Sequence, residues 1–111
     1  MILLLGQKVT RDQLDAMLQV LEFYVKVAVD TQRGCLVGGG ELHADCEAVL
    51  LDDGGRQEQI WGADWIPSSQ EVRFEAFINI RPNQQNPSMT ILDPAIRSRV
   101  EAIVPDLLEG A

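Results

Sequence analysis

A row of acid–base side chains stands out in residues 38–47, which read Gly-Gly-Gly-Glu-Leu-His-Ala-Asp-Cys-Glu. If this segment is a β-strand, every second side chain lies on the same face. Carboxylates and an imidazole on one face are groups that serve in acid–base catalysis and that bind zinc, manganese or iron. We predict as candidate catalytic residues Glu41, His43, Asp45 and Glu47, and as candidate metal ligands His43, Asp45 and Glu47.

The spacing of this row limits what it can do. Neighbours on one strand face are about 6.8 Å apart, so at most two of them reach one ion and another strand must supply the rest. Mutual repulsion of the carboxylates favours the binding of protons or cations. Two alternatives stay open. The row is simply the solvated face of an antiparallel strand, or the segment is a helix, in which Glu41 with Asp45 and His43 with Glu47 occupy separate faces.

A second polar cluster, residues 78–88, reads Ile-Asn-Ile-Arg-Pro-Asn-Gln-Gln-Asn-Pro-Ser. Asn79 and Arg81 share one face of a predicted strand, and Asn83 lies in the amide-rich loop that follows. Arg81 can hold a ligand carboxylate or phosphate through two parallel hydrogen bonds. The alternative is a structural ion pair with Glu47 or Asp45 of a neighbouring strand.

Two tryptophans lie four residues apart, at positions 61 and 65, and share a face if the segment is extended. Core packing is one interpretation of this pair, and the wall of a ligand pocket is the other. The sequence thus predicts as candidate ligand-binding residues Asn79, Arg81, Asn83, Trp61 and Trp65.

Helices are predicted near both ends of the chain. Thr10 and Gln13 have the spacing of a capping box ahead of an amphipathic segment. Asp93 followed by Pro94 is typical of a helix start, because the missing proline N–H is not needed at the first helical position. Pro105 should kink this second helix or end it early.

Strands are predicted from alternating or short apolar segments bounded by turn residues. The Asp-Asp-Gly-Gly sequence at residues 52–55 predicts a hairpin turn, because glycine adopts the positive φ of tight turns. We expect a single α+β domain over residues 1–111, an antiparallel β-meander of about five strands flanked by an N-terminal and a C-terminal helix. The predicted strands are residues 1–5, 25–30, 35–37, 41–51, 57–66 and 72–81.

Composition excludes several classes of partner. With 9 Lys and Arg against 17 Asp and Glu, the formal net charge is −8. Such a chain is poorly suited to phosphate backbones, so we expect no nucleic-acid partner. No apolar run approaches the roughly 20 residues of a membrane span, and we expect no membrane partner. Cys35 and Cys46 match no zinc or CxxC spacing and no secretory leader is evident, so we expect a cytoplasmic protein.

Three motifs, at residues 38–47, 60–67 (Ile-Trp-Gly-Ala-Asp-Trp-Ile-Pro) and 78–88, together resemble a family of small bacterial proteins catalogued only as a domain of unknown function. The resemblance covers nearly the whole chain. It implies a bacterial, cytoplasmic, single-domain protein, and it assigns no activity and no role to any residue.

Two hypotheses for function follow. The preferred one is a binding or interaction module without a cofactor, which uses the wet face of the sheet or forms a homodimer by pairing the strand at residues 1–5. The other is a small metal- or acid/base-dependent enzyme in which the His43 row acts on an anionic small molecule held by Arg81 and Asn79. An enzyme should bring the row within hydrogen-bond reach of Arg81 or Asn79 at the bottom of a concavity.

Overall fold

A five-stranded antiparallel sheet organises the computed structural model, which describes residues 1–111. The order of the strands across the sheet is β1-β3-β2-β4-β5. Helices pack on both faces, so the predicted α+β class, with five antiparallel strands and a helix near each end, is confirmed. The elements in chain order are β1 (Leu3–Leu5), α1 (Arg11–Met17), β2 (Val25–Asp30), β3 (Cys35–Gly38), α2 (His43–Asp52), β4 (Ile60–Ile66), β5 (Glu71–Arg73) and α3 (Pro94–Leu108).

The two faces of the sheet carry cores of unequal size. The larger core contains 18 buried residues and lies beneath α1 and α3, with Trp61 and Trp65 of β4 among its members. The smaller core contains 6 buried residues beneath α2, including Cys46 and Leu50. Because α2 has only 10 residues, it covers one part of its face and leaves the ends of β2 and β4 near Tyr24 and Ile66 less covered.

The predicted ends of α1 and α3 are confirmed. The Thr10 hydroxyl accepts a hydrogen bond from the Gln13 backbone N–H, and the Gln13 side chain accepts one from the Thr10 N–H. Asp93 accepts from two backbone N–H groups at the start of α3, with Pro94 in the first position. Helix α3 nevertheless continues past Pro105 to Leu108, because its buried stripe packs on the sheet through this last turn and offsets one lost hydrogen bond.

The prediction of a strand at residues 41–51 is wrong, because α2 occupies this segment. Its buried residues, His43, Cys46 and Leu50, are three and four positions apart, which is the spacing of one helix face. The same residues that alternate with period two therefore also form a helical stripe, and burial of that stripe on the sheet decides between the two structures.

The Asp-Asp-Gly-Gly segment ends α2 and is not a hairpin turn. Gly54 has φ of +95°, and its N–H donates to the Leu51 carbonyl, while the Gly55 N–H donates to the Leu50 carbonyl. This pair of bonds is the Schellman arrangement, which satisfies the last carbonyls of a helix. Positive φ at glycine was correctly expected here, but it belongs to a helix end.

The prediction of a strand at residues 72–81 is largely wrong. Only Glu71–Arg73 pairs with β4, after which the chain leaves the sheet and forms a 3-10 turn at Phe77–Asn79. Gly62 lies in register opposite Ala28 and forms no bulge. A Cβ at Gly62 would come 2.6 Å from the Ala76 Cβ, so the departing segment packs directly against the β4 backbone.

We expect Gly62→Ala to destabilise the protein by about 1–3 kcal/mol, because the added methyl group overlaps Ala76 and Ile78. Gly6→Ala is the matched control, since a Cβ there meets no atom within 4 Å. Urea unfolding monitored by tryptophan fluorescence measures both variants. Equal stability of the two would contradict the close packing of residues 74–80 on β4.

Candidate functional site

Helix α2 divides the predicted row of acid–base residues between two faces, as the helical alternative required. Glu41, which precedes the helix, and Asp45 are exposed, whereas the side chains of His43 and Glu47 are largely buried against the sheet. No group of three or more His, Cys, Asp or Glu side chains is placed to hold one metal ion. The strand geometry that placed His43, Asp45 and Glu47 on one face therefore does not exist, and a divalent metal at these residues stays a prediction.

Glu47 faces Arg81, at 3.4 Å between a carboxylate oxygen and Nη2, and both side chains are largely buried. This contact is the structural pairing that the sequence left open, although Glu47 lies on a helix. Burial lowers the pKa of the Arg81 guanidinium, and the Glu47 carboxylate opposes that shift. The cation also lies over the Trp61 ring, 4.5 Å from its centroid.

Arg81 uses every N–H of its guanidinium group inside the protein. Nε donates to the Ile78 carbonyl at 2.9 Å and Nη1 to the Gln57 carbonyl at 2.6 Å. A second Nη1 bond reaches Gln84, and Nη2 donates to Glu47 and to the Ile60 carbonyl. Arginine has five N–H donors, so none is left for a ligand in this conformation.

Asn79 is fully buried and acts as a substitute for a neighbouring strand. Its side-chain oxygen accepts from the Gly62 N–H at 2.8 Å, and its amide nitrogen donates to the Gly62 carbonyl at 3.0 Å. Further donation reaches the carbonyls of Phe74 and Met89. Asn86, which sequence analysis did not single out, acts in a similar way. Its amide nitrogen donates to three backbone carbonyls, and its amide oxygen accepts from the Leu92 N–H. The amide-rich motif thus anchors its own loop to β4.

The remaining predicted ligand-binding residues lie apart from one another. Asn83 is exposed in a 3-10 turn at Pro82–Gln84. Trp61 and Trp65 are buried in the larger core, which is the packing interpretation of the pair. Their indole N–H groups have no hydrogen-bond partner, so these rings contribute packing and no polar anchor.

His43 pairs with Asp64, a residue that sequence analysis did not select. The imidazole Nε2 lies 2.8 Å from an Asp64 carboxylate oxygen and 3.0 Å from the Ala63 carbonyl. Both partners are acceptors, so Nε2 carries the proton and Nδ1 keeps its lone pair in the neutral ring. The side chains are 10% and 17% exposed, which places this hydrogen-bonded pair at the edge of the interior.

The His43–Asp64 pair lies at the floor of a surface groove, which we name the Asp64 groove. One of its two cavities has a volume of about 390 Å³ and is lined by Phe23, Tyr24, Asp64, Ile66 and Arg73. The other has a volume of about 230 Å³, and its lining includes Tyr24, Lys26, His43, Asp64, Glu75 and Phe77. The two cavities adjoin, because Tyr24 and Asp64 line both of them.

Two cations of the Asp64 groove have no partner. Lys26 and Arg73 lie opposite Asp64 in the adjacent strands β2 and β5, and neither forms an ion pair or a side-chain hydrogen bond. Phe23 and Phe77 border the groove and are 79% and 77% exposed. The groove therefore combines free positive charge, an oriented imidazole and exposed apolar rings.

Sequence reasoning missed most of this groove because its members come from four separate segments. The alternating patterns identified Lys26 and Arg73 only as polar residues of predicted strands. No pattern indicated that Phe23 and Phe77 belong to a site. One signal was available: Asp64 interrupts an apolar segment within the Trp-Gly-Ala-Asp-Trp motif. A carboxylate at that position needs a partner when it is buried.

No helix of the structure has the length and apolar character needed to cross a membrane.

The chain belongs to the family described as "Protein of unknown function (DUF5674)", whose model matches residues 3–107. The resemblance to a domain of unknown function is thereby confirmed. No curated protein and no solved structure matches the chain.

We expect Arg81→Lys to lower the free energy of unfolding by about 2–4 kcal/mol. Lysine keeps the charge opposite Glu47 but cannot satisfy the separate carbonyls of Gln57, Ile78 and Ile60. Arg99→Lys is the control, since exposed Arg99 donates one bond to the Thr31 carbonyl and should change stability by less than about 0.5 kcal/mol. Guanidinium chloride unfolding compares them, and a loss below 1 kcal/mol for Arg81→Lys would refute the anchoring role.

Proposed function

We propose that this family member is a binding module that recognises, in the Asp64 groove, a small molecule with an anionic group and an apolar body. The observation that carries this proposal is the pair of unpartnered cations, Lys26 and Arg73, on either side of Asp64 in a groove whose lining also includes exposed phenylalanines. The anion of the ligand would be a carboxylate or a phosphate, because both accept charge-assisted hydrogen bonds from lysine and arginine.

Five of the nine lysine and arginine side chains form ion pairs, and Lys26 and Arg73 are among those that do not. The net charge is −8, and most basic side chains are already held by acidic ones, for example Arg33 by Asp30 and Arg56 by Glu58. Lys26 and Arg73 are unpaired although each lies opposite Asp64 in the sheet, where one carboxylate oxygen is bound to His43. An anionic ligand would supply the missing partner. Glu75 is the other acid of the groove and would direct the anion toward the two cations.

The exposed aromatic rings favour a ligand with an apolar body. Phe23 and Phe77 are more exposed than any other large apolar side chain of the chain. A solvent-exposed pair of phenylalanines at a polar groove is a feature of binding sites, since removal of such rings from water stabilises a complex. The ligand is therefore expected to lie between the rings, with its charge toward the sheet.

The cellular setting and the cofactor belong to the same proposal. Cys35 and Cys46 are free and buried, and burial raises the pKa of both thiols, which supports a reducing cytoplasm where they stay protonated and inert. The acidic surface supports a protein that does not bind nucleic acid. A bacterial source rests on the motif resemblance alone. Binding is proposed to need no cofactor, and a divalent ion at His43 is the alternative.

We also propose a homodimer formed by antiparallel pairing of two β1 edges. β5, the opposite edge of the sheet, is protected by the charges of Glu71 and Arg73, as natural edge strands are. β1 has no such protection: no residue before Lys8 has an ionisable side chain, and Met1, Ile2 and Leu4 are exposed. A second copy fits this edge because two identical uncharged strands pair by two-fold symmetry without charge repulsion.

Binding is tested with 8-anilinonaphthalene-1-sulfonate, an aromatic anion that fluoresces in apolar sites. We expect saturable binding to the wild type and an at least tenfold weaker affinity for the double variant Lys26→Met and Arg73→Met, because each charge-assisted bond contributes about 1.5–3 kcal/mol. Phe23→Ala and Phe77→Ala should also weaken binding.

Matched controls for the binding test lie outside the groove. Lys8→Met removes another unpaired cation, and Val20→Ala removes another exposed apolar side chain. Both should bind the probe like the wild type. Equal affinity of the wild type and the double variant would show that the cations do not recognise the anion. Binding that requires added Zn²⁺ or Mn²⁺, and is lost in His43→Gln, would favour the metal alternative.

The dimer is tested by light scattering of the purified protein across a concentration series. We expect a mass twice that of one chain, falling to the monomer mass for Leu4→Lys, because a lysine on each edge strand introduces like charges at the interface. Leu92→Lys is the control, since Leu92 is exposed at 51% in a different part of the surface. A wild-type monomer at every concentration would rule out pairing through β1.

A further inference from the structure

We propose that the Asp64 groove is catalytic, with His43 Nδ1 as a general base that activates water to hydrolyse an ester of an anionic molecule. This inference rests on the proposed function, since the Asp64 groove is the site that must bind the substrate. It adds a reaction to a binding site, and it assigns separate roles to His43 and Asp64.

The hydrogen bonds of His43 determine which of its ring nitrogens carries the proton. Its Nε2 lies within 3.0 Å of two oxygens, the Asp64 carboxylate and the Ala63 carbonyl, and neither has a proton to give. The proton must therefore be on Nε2, and the lone pair must be on Nδ1. A carboxylate that holds one imidazole nitrogen and leaves the other free is the arrangement that orients a histidine base in nucleophilic and hydrolytic enzymes.

Solvent can reach the lone pair on His43 Nδ1. Nδ1 makes no hydrogen bond within the protein, and it is not among the buried polar atoms that lack a partner. It is thus within reach of solvent, and His43 lines the smaller cavity of the groove. The base is positioned by a buried partner on one side and open to a water molecule on the other.

The residues of the smaller cavity indicate which nucleophile would react. No Ser, Thr or Cys lines the smaller cavity, and the Cys46 thiol is buried and donates to the Lys26 carbonyl instead. Activated water is therefore the nucleophile that this set of residues favours. Lys26 carries its positive charge at the same cavity, where a developing oxyanion would be stabilised.

The reaction balances with water as the only co-reactant. His43 Nδ1 takes one proton from water while the water oxygen bonds to the ester carbonyl carbon, whose π electrons move to the carbonyl oxygen. The intermediate collapses, the bond from carbon to the leaving oxygen breaks, and the imidazolium returns its proton to that oxygen. The products are a carboxylic acid, which loses its proton to solvent, and an alcohol or phenol.

Asp64 is a positioning residue in this scheme. Its carboxylate fixes the Nε2–H tautomer and stabilises the imidazolium that forms during the reaction. Asn at position 64 can turn its NH₂ group toward Nε2, which would move the proton to Nδ1 and remove the base. Asp64→Asn should therefore reduce kcat strongly and leave KM nearly unchanged.

The activity is tested with 4-acetoxy-3-nitrobenzoate, a chromogenic ester with a carboxylate on its aromatic ring. We expect the wild type to hydrolyse it with kcat/KM at least 100-fold above the rate constant of free N-acetylhistidine, with a solvent deuterium isotope effect of about 2 or more. His43→Gln and Asp64→Asn should each lose about 10²–10⁴-fold, the usual contribution of acid–base catalysis. Lys8→Met is the control and should retain the wild-type rate.

A second measurement does not depend on the folding of any variant. His43 is the only histidine in the chain, so its ¹⁵N resonances identify the tautomer without assignment. We expect the neutral imidazole of the wild-type protein to carry its proton on Nε2. A protonated Nδ1, an isotope effect near 1, or a wild-type rate no faster than N-acetylhistidine would each overturn the proposed base.

Binding of the unreactive analogue 3-nitrobenzoate separates this inference from the proposed function. Amide shifts around Lys26, Asp64 and Arg73 on addition of the analogue, without hydrolysis of the ester, would overturn the catalytic role alone. Absence of both shifts and hydrolysis would overturn the binding module as well. Hydrolysis that survives in His43→Gln would show that the reaction takes place at another site.

Discussion

The structure depends on how the backbone of β4 is satisfied at the edge that β5 does not cover. Residues 71–73 pair with β4 for only three positions, and the chain then turns away. From there Asn79 bonds both backbone groups of Gly62, and Arg81 donates to the Ile60 carbonyl. Two side chains thus do the work of a strand, which matters because unpaired backbone groups in the interior are costly.

The Asp64 groove is a consequence of this substitution. Because residues 74–80 leave the plane of the sheet, Glu75 and Phe77 form a wall instead of continuing a flat edge. Helix α2 closes the other side and brings His43, in its first turn, against Asp64 of β4. A longer β5 would continue the sheet in its own plane and would leave no wall on this side of the groove. The groove therefore exists because the pairing of β5 with β4 ends after residue 73.

Helix α2 shows why a pattern along the chain is insufficient for residues 41–51. From residue 41 to residue 47 every second residue is polar, as in a half-exposed strand, yet His43, Cys46 and Leu50 also recur at helical spacing. The helix is selected by the small core that it covers, formed by Ala28, Val37 and Ile60 of three different strands. That surface exists only after the sheet has assembled, so no local pattern could decide the matter.

Local sequence patterns are sufficient to predict the class of fold, the strands β2 and β3, and the starts of α1 and α3, because alternation and capping act between residues close in the chain. The sequence also indicates His43, Glu47, Asn79 and Arg81 as polar residues that need specific hydrogen-bond or ion-pair partners. Their partners could not be predicted from local patterns, since the contacts of His43 with Asp64 and of Glu47 with Arg81 span 21 and 34 residues. The assembled sheet places the two members of each pair next to each other. Because these side chains are buried, each polar group needs a partner.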